Sequence, residues 1–201
     1  VAGFFKRLYV WLVYAFFYVP LLLVFVYSFN SGKYTTNWSG FSLKWYETLF
    51  NNTAILDAAF NSVLVAVCSA TCATVLGSLA ALCLKRYRFV GHRALYVSIF
   101  LLTVSPDIIM GISLLIMFIA LKVPLGFFTL LVAHTTLCAP FVTVTVLSRL
   151  AEFDEHLIEA ARDLGASEAV AFRHVLLPLT LPAVVAGWLL SFTLSMDDVL
   201  I

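Results

Sequence analysis

Residues 149–178 read RLAEFDEHLIEAARDLGASEAVAFRHVLLP and form the most polar stretch of a largely apolar chain. The triplet Glu159-Ala160-Ala161 predicts one helix, and Gly165 predicts its end. Ser167 is a typical N-cap for a second short helix, which Leu177-Pro178 is expected to end. Residues 149–178 therefore predict an elbow, two short helices joined at a glycine, between two apolar segments. Its charged residues include Glu152, Asp154, Glu155, Glu159, Arg162, Asp163, Glu168 and Arg173.

The composition predicts a membrane protein. Hydrophobic residues make up 63% of the chain and charged residues 11%, whereas soluble domains carry about 25% charged residues. Such a chain has too few polar side chains to cover a surface in water, so we expect an all-α, polytopic helical membrane protein. The net charge of +1 and the lack of a basic run interleaved with aromatic residues argue against nucleic acid as a partner.

Five apolar segments are long enough to cross a bilayer as helices. The first is interpreted as a retained span rather than a signal peptide, because no small-residue cleavage site follows it. The third is interrupted at Ser105-Pro106-Asp107. Between the first two, residues 30–57 are predicted to be a periplasmic segment with a short surface helix over residues 43–50. The five segments are residues 4–29, 58–84, 94–121, 124–147 and 179–201.

Small and polar residues inside these segments are interpreted as packing residues. The second segment is rich in Ala, Ser, Thr and Cys, which is typical of a helix inside a bundle. His134, in the fourth segment, is expected to be hydrogen-bonded rather than bound to a metal. The cysteines have no CxxC pair and are interpreted as small buried residues: Cys68, Cys72, Cys83 and Cys138.

The basic residues predict the orientation. With a cytoplasmic N-terminus, nine Lys and Arg residues fall on the inner side, and the outer side holds Lys33, Lys44 and Lys122. Because basic residues accumulate in cytoplasmic loops, residues 149–178 are expected to face the cytoplasm. The inner nine are Lys6, Arg7, Lys85, Arg86, Arg88, Arg93, Arg149, Arg162 and Arg173.

The spacing from Glu159-Ala160-Ala161 to Gly165 and on to Val175-Leu176-Leu177-Pro178 resembles the EAA loop of ABC-importer inner-membrane permeases. The resemblance implies a type I ABC-importer permease fold, whose sixth span would lie beyond residue 201. It also implies that the loop docks on a cytoplasmic ATPase, that ATP and Mg²⁺ are bound by that partner, and that this chain has no cofactor or catalytic role. The implied coupling residues are Glu159, Ala160, Ala161, Asp163, Gly165 and Glu168.

Acidic residues inside the predicted spans suggest the cargo. An Asp at the bilayer centre costs about 2.5–3.5 kcal/mol on insertion scales, so Asp107, Asp197 and Asp198 are expected to face a pathway or a partner. The spans hold no basic residue at matching depth, which favours a cationic solute. Because neighbouring helical residues lie about 100° apart, one of Asp197 and Asp198 is expected to line the path. Alternatively, Asp107 caps the second half of its span, and the other two are exposed at the outer end.

Two further residues are pathway candidates. Trp45 belongs either to an interfacial aromatic belt or to a lid at the outer mouth that stacks on ammonium groups. Ser195 lies in the same run as Asp197.

Three stretches narrow the resemblance to the spermidine/putrescine branch of these permeases: Ser28-Phe29-Asn30-Ser31, Ser105-Pro106-Asp107 and residues 188–198. It implies one permease domain over residues 1–201 in a bacterial inner membrane, surrounded by lipid. The implied partners are a homologous second permease, two cytoplasmic ATPase subunits and a periplasmic polyamine-binding protein.

Other functions remain open. An ABC permease for another small solute has the same elbow, although an anionic solute would favour cations in the path. An intramembrane aspartyl protease would use Asp107 with Asp197 or Asp198, but Asp107 lacks a Gly-x-Gly-Asp setting. A secondary transporter would explain the interrupted third segment but has no need of an ATPase-docking loop.

Overall fold

The computed structural model describes residues 2–33 and 37–198 of the chain. The regular structure of these residues is helical, apart from an antiparallel β-bridge between Asn30 and Phe41. This confirms the predicted all-α class. The chain divides into two units at the boundary between residues 59 and 60.

The first unit begins with a long exposed helix, α1 (Ala2–Tyr27), which contains Pro20. Its 26 residues correspond to about 39 Å at 1.5 Å per residue, enough to cross the hydrocarbon core of a bilayer. The helix ends two residues before the predicted boundary at residue 29, because the chain there enters a turn in which the amide of Asn30 donates to the carbonyl of Tyr27.

Aromatic side chains connect the end of α1 to α2 (Lys44–Phe50). The Phe29 ring stacks on Phe41 and Tyr46, with centroids 5.3 and 5.4 Å away. The hydroxyls of Ser28 and Tyr46 lie 2.8 Å apart. The short helix predicted over residues 43–50 is therefore present, and its ring contacts attach it to the chain that follows α1.

The second unit consists of helices that pack on one another. The first of them, α3 (Thr53–Arg86), begins before the unit boundary and extends past the predicted span of residues 58–84 at both ends. The others are α4 (His92–Val104), α5 (Asp107–Ala120), α6 (Phe127–Ala151), α7 (His156–Asp163), α8 (Glu168–Ala171) and α9 (Leu177–Asp197).

The predicted interruption of the third span is present. The chain bends by 113° between α4 and α5. The bend occurs because Ser105, which precedes a proline, has an extended backbone (φ −68°, ψ 137°). Among the described residues, four helical segments are long and apolar enough to cross a membrane, and α4 with α5 makes a fifth if the bent pair crosses as one span.

The predicted helix end at Leu177-Pro178 is wrong. A π-helical turn, Phe172–Leu176, joins α8 directly to α9, so one helical segment runs from Glu168 to Asp197. Pro178 is accommodated inside this segment because the preceding turn is wider: the amide of Leu177 donates to the carbonyl of Phe172, five residues back. The elbow therefore continues into the last span without a break.

The core of the second unit lies where α3 and α9 pack against α6. As predicted for a helix rich in small residues, α3 is buried through residues such as Ala66, Ala70 and Ala73. Small residues let helix backbones approach closely, which is how helices associate in lipid. The buried hydrophobic cluster consists of Ala73, Ala81, Cys138, Val142, Val146, Leu150 and Leu176.

Candidate functional site: the elbow and the acidic helix ends

The elbow has the predicted glycine break. Gly165 has φ +87°, and its amide donates to the carbonyl of Arg162 at 2.8 Å. The amide of Ala166 donates to the carbonyl of Ala161 at 3.0 Å. These two bonds form a Schellman motif, which ends α7 and satisfies carbonyls that the helix leaves free.

The predicted N-cap of the second elbow helix is also present. The hydroxyl of Ser167 accepts a hydrogen bond from the amide of Val170 at 3.4 Å, and Glu168 lies in the first turn of α8. An acidic residue is favourable there because the N-terminal end of a helix carries a partial positive charge.

Ion pairs hold both elbow helices to the end of α3. Lys85 Nζ lies 2.8 Å from Glu155 Oε1, just before α7. Glu168 Oε1 lies 3.0 Å from Arg86 and also binds Arg162 of α7. These side chains are partly exposed, so each pair contributes little stability alone. Together they set the position of the elbow relative to α3.

The same contacts affect two ionisable groups. The hydrogen bond from the Lys85 ammonium lowers the pKa of Glu155. His156 Nδ1 lies 3.0 Å from Glu159 Oε2, and this hydrogen bond raises the pKa of His156. The predicted coupling residue Glu159 is thus paired within its own helix.

Helix α7 has a half-buried side and an exposed apolar side. Ile158 packs against the hydrophobic core, and Ala161 is half-buried beside it. On the outer side, Leu157 and Leu164 are 44% and 90% exposed, with exposed Ala160 between them. Residues 157, 160 and 164 share one helix face. Sequence reasoning did not select the two leucines, although their spacing was the available signal.

A cavity of about 260 Å³ lies between the elbow and the rest of the unit. Apolar side chains such as Leu82 and Leu150 line it together with charged ones that include Arg86 and Glu159. The elbow is therefore not packed solidly against the bundle over its whole area. Predicted coupling residues Asp163 and Ala160 are exposed to solvent in the described structure.

Asp107 is the first residue of α5, and its side chain is exposed. The N-cap position belongs to Pro106, and no side chain caps this helix by a hydrogen bond. The structure therefore does not have the side-chain cap considered as an alternative for Asp107. Its carboxylate is instead favoured by the positive end of α5.

Helix α9 ends at Asp197, and Asp198 is its C-cap (φ −77°, ψ 110°). The amide of Asp198 still donates to the carbonyl of Leu194 at 3.1 Å, so its Cα continues the helical path and only the chain after it leaves the helix. The expected offset of about 100° between these neighbours therefore still applies. Asp197 is exposed and Asp198 half-buried.

Ser195 lies inside the helix bundle. Its hydroxyl is 3.0 Å from His134 Nδ1 and 3.1 Å from the hydroxyl of Ser69, so it connects α9 to α6 and α3. The expected hydrogen bonding of His134 is confirmed. Sequence reasoning did not find Ser69, because the many small residues of α3 offered no reason to choose one.

Trp45 belongs to the first unit and has partners there. Its indole N–H donates to the carbonyl of Asn30 at 3.0 Å, and the Lys44 ammonium lies 5.4 Å from the ring centroid. The ring thus already contacts one cation. Both interpretations of Trp45, belt and lid, are compatible with these contacts.

No group of three or more His, Cys, Asp or Glu side chains with the geometry of a metal site occurs among the described residues.

Comparison with known proteins agrees with the resemblance to inner-membrane permeases. The profile of the family described as "Binding-protein-dependent transport system inner membrane component" matches residues 73–201. The spermidine/putrescine transport system permease protein PotC of Haemophilus influenzae is 50% identical over 198 residues, which cover 98% of this chain and 77% of that protein. PotC of Escherichia coli K12 is 53% identical over 189 residues, covering 94% of this chain and 72% of that protein.

A second kind of relative is more distant. The putrescine transport system permease protein PotI of Escherichia coli K12 is 42% identical over 195 residues, which cover 94% of this chain and 69% of that protein. These similarities confirm the predicted resemblance to the spermidine/putrescine branch, within which the chain is similar to PotC at 50% and 53% identity. All three relatives are named as transport permeases, which supports the predicted non-catalytic role and not the protease.

Proposed function

This chain belongs to the family of binding-protein-dependent transport system inner membrane components, and we propose that it is a permease subunit of an ATP-driven importer for polyamines. It is a multi-pass inner-membrane protein. In this proposal it forms the translocation path together with a second, homologous permease, and a periplasmic binding protein delivers the cargo. Two cytoplasmic ATPase subunits bind and hydrolyse ATP with Mg²⁺, so this chain itself needs no cofactor.

The geometry of the elbow is the observation that best supports a role in coupling to the ATPase. Its helix α7 has an apolar outer face at Leu157 and Leu164, and ion pairs to Lys85 and Arg86 connect the elbow to α3. Because α8 continues through the π-helical turn into α9, a force on the elbow is transmitted to the last span. We propose that the ATPase binds this face and moves these spans between inward-open and outward-open states.

The proposed orientation has the N-terminus and the elbow in the cytoplasm. The excess of basic residues on that side supports it. The ion pairs of the elbow with Lys85 and Arg86 also support it, because they place the C-terminal end of α3 on the same side as the elbow.

Polyamines are the proposed cargo because acidic residues lie at the break in the third span and at the outer end of the last span. Asp107 and Asp197 are exposed at the start of α5 and the end of α9, and the described residues show no ion pair for either one. A carboxylate there replaces part of the hydration that a protonated amine loses on entering the path. The relatives named as spermidine/putrescine and putrescine permeases add independent support.

Uptake by the reconstituted complex tests the proposal. Labelled spermidine and putrescine are supplied with ATP and binding protein to vesicles that contain wild-type, Asp197→Asn or Asp107→Asn chain. We expect wild-type uptake of at least one amine and reduced uptake by both variants, which assemble normally. Asp57→Asn removes an exposed carboxylate near the start of α3 and is the matched control, with uptake unchanged.

Two results would count against parts of the proposal. If ATP hydrolysis responds to another solute while neither amine moves, the chain is an importer subunit but not for polyamines. If the wild type moves polyamines and Asp107→Asn does so equally well, Asp107 is not a pathway residue.

A further inference from the structure

Two side-chain contacts connect three helices near the acidic end of α9, and a third lies within α3. Ser69 of α3 donates to the carbonyl of Ala66 at 3.2 Å. The hydroxyl of Ser195 lies 3.1 Å from that of Ser69 and 3.0 Å from Nδ1 of His134. Ser69, His134 and Ser195 are all buried.

Two proton arrangements fit these contacts. When Ser69 donates to the carbonyl of Ala66, Ser195 donates to Ser69 and accepts from His134 Nδ1–H. When Ser69 instead donates to Ser195, Ser195 donates to the unprotonated Nδ1 of the other histidine tautomer. In both arrangements Ser195 is hydrogen-bonded to His134 and to Ser69, so the buried side chains of the three helices are paired.

A second contact between α6 and α9 lies one helical turn away. The Cys138 thiol donates to the carbonyl of Ser191 at 3.5 Å. His134 and Cys138 are four residues apart on α6, as are Ser191 and Ser195 on α9, so the two contacts lie side by side along this helix pair. Of the two, the bond from His134 is the one that holds a side chain in the last turn of α9.

We propose that His134 is a positioning residue for the acidic end of α9. Through the hydrogen bond between its Nδ1 and the Ser195 hydroxyl, it holds the turn from which Asp197 and Asp198 extend, and so keeps these carboxylates where cationic cargo passes. This inference rests on the proposed function. It assigns His134 a role in transport through its hydrogen bond, in addition to its contribution to packing.

Two amide substitutions separate the hydrogen bond from packing. In His134→Asn the side-chain amide can place an N–H near the position of Nδ1, whereas in His134→Gln the longer side chain moves the amide towards the position of Nε2. Ser195→Ala removes the other partner. We expect His134→Gln and Ser195→Ala to lower the amount of polyamine moved per ATP hydrolysed about fivefold, the effect of one lost hydrogen bond. His134→Asn is expected to stay near wild type.

The measurement uses the full reconstituted complex with saturating loaded binding protein, and it records uptake, ATP hydrolysis and assembly for each variant. A purely structural role would lower assembly and ATP hydrolysis together with uptake and leave their ratio unchanged. That result overturns the proposal, as does equal behaviour of His134→Asn and His134→Gln. If His134→Gln does not assemble, the same ratio for Ser195→Ala decides.

Measurements on the wild-type complex distinguish a wrong polyamine function from a wrong role of His134. If it hydrolyses ATP but moves neither spermidine nor putrescine, the polyamine function is wrong and the role of His134 in positioning acids for amines is overturned with it. If wild type moves polyamines and the ratio for His134→Gln is unchanged, only the role of His134 is overturned.

Discussion

Gly77 of α3 lies directly against Val142 of α6. A Cβ atom at position 77 would be 2.7 Å from Val142 Cβ and 2.8 Å from the carbonyl oxygen of Ala139. Gly187 of α9 also contacts this valine, with 3.2 Å between its hypothetical Cβ and Val142 Cγ1. Val142 is fully buried. Two glycines on different helices thus allow α3 and α9 to pack closely against α6.

Gly77→Ala is expected to destabilise the protein. The new methyl group meets a backbone oxygen that cannot rotate away, so α3 has to move, and overpacking of this kind costs about 1–3 kcal/mol. Thermal unfolding of the purified complex measures the loss. Gly187→Ala should cost less because its nearest neighbour is a side-chain methyl group. Gly126→Ala is the matched control, since a Cβ there meets nothing within 4 Å. Equal unfolding temperatures for Gly77→Ala and Gly126→Ala would contradict the packing.

Gly165→Ala is expected to uncouple transport from ATP hydrolysis. Its φ of +87° is unfavourable for a residue with a Cβ and costs about 1–2 kcal/mol for alanine. Gly165→Asn should retain more uptake, because asparagine adopts this conformation more readily. Uptake and ATP hydrolysis are measured together in vesicles, with delivery by the binding protein intact. Full uptake by Gly165→Ala would show that the Schellman motif is not needed for coupling.

Exchange of the charges in the pair Lys85–Glu155 tests the attachment of the elbow. Lys85→Glu brings two carboxylates together where an ion pair of 2.8 Å existed, so we expect lower uptake per ATP hydrolysed. The double variant Lys85→Glu, Glu155→Lys restores opposite charges and should recover part of the loss. The defect should shrink at high salt because both side chains are partly exposed. If the double variant is no better than the single one, the pair does not position the elbow.

His156 should show a raised pKa that depends on Glu159. The carboxylate of Glu159 favours the protonated ring. The stabilisation of α7 is therefore fully present below the ordinary histidine pKa of about 6.5 and is lost as the pH rises through the higher value. In wild type, amide-exchange protection of α7, corrected for intrinsic rates, is expected to fall over this interval. His156→Gln should remove the pH dependence, and Glu159→Gln should lower the histidine pKa towards its ordinary value, with Asp154 and Glu155 still favouring the protonated ring. A wild-type pKa at or below about 6.5 would contradict the pairing.

Local features of the fold were predictable from the sequence. Gly165 and Ser167 mark helix ends because backbone conformation and capping depend on a few neighbouring residues, and both are present as predicted. The interruption at Pro106 follows from the same kind of local restriction. The prediction at Pro178 failed because a π-helical turn accommodates the proline, and no local pattern in the sequence indicated that turn.

The candidate site was predictable only as a set of residue types. The acidic residues were identified because charge inside an apolar segment is costly. The greater exposure of Asp197 than of Asp198 was not predictable, since it depends on how the end of α9 packs against the other helices. The exposed leucines of the elbow were also missed.

Hydropathy, charge and local capping signals in the sequence determined by themselves that this protein is helical, lies in a membrane and carries a polar elbow with a glycine break. Only the tertiary structure decided which residues of different helices meet. Val142 lies between Gly77 and Gly187, and Ser195 bonds His134 and Ser69. Such contacts depend on the rotation and register of whole helices, and in lipid every face of a span is apolar enough that hydropathy does not specify either one.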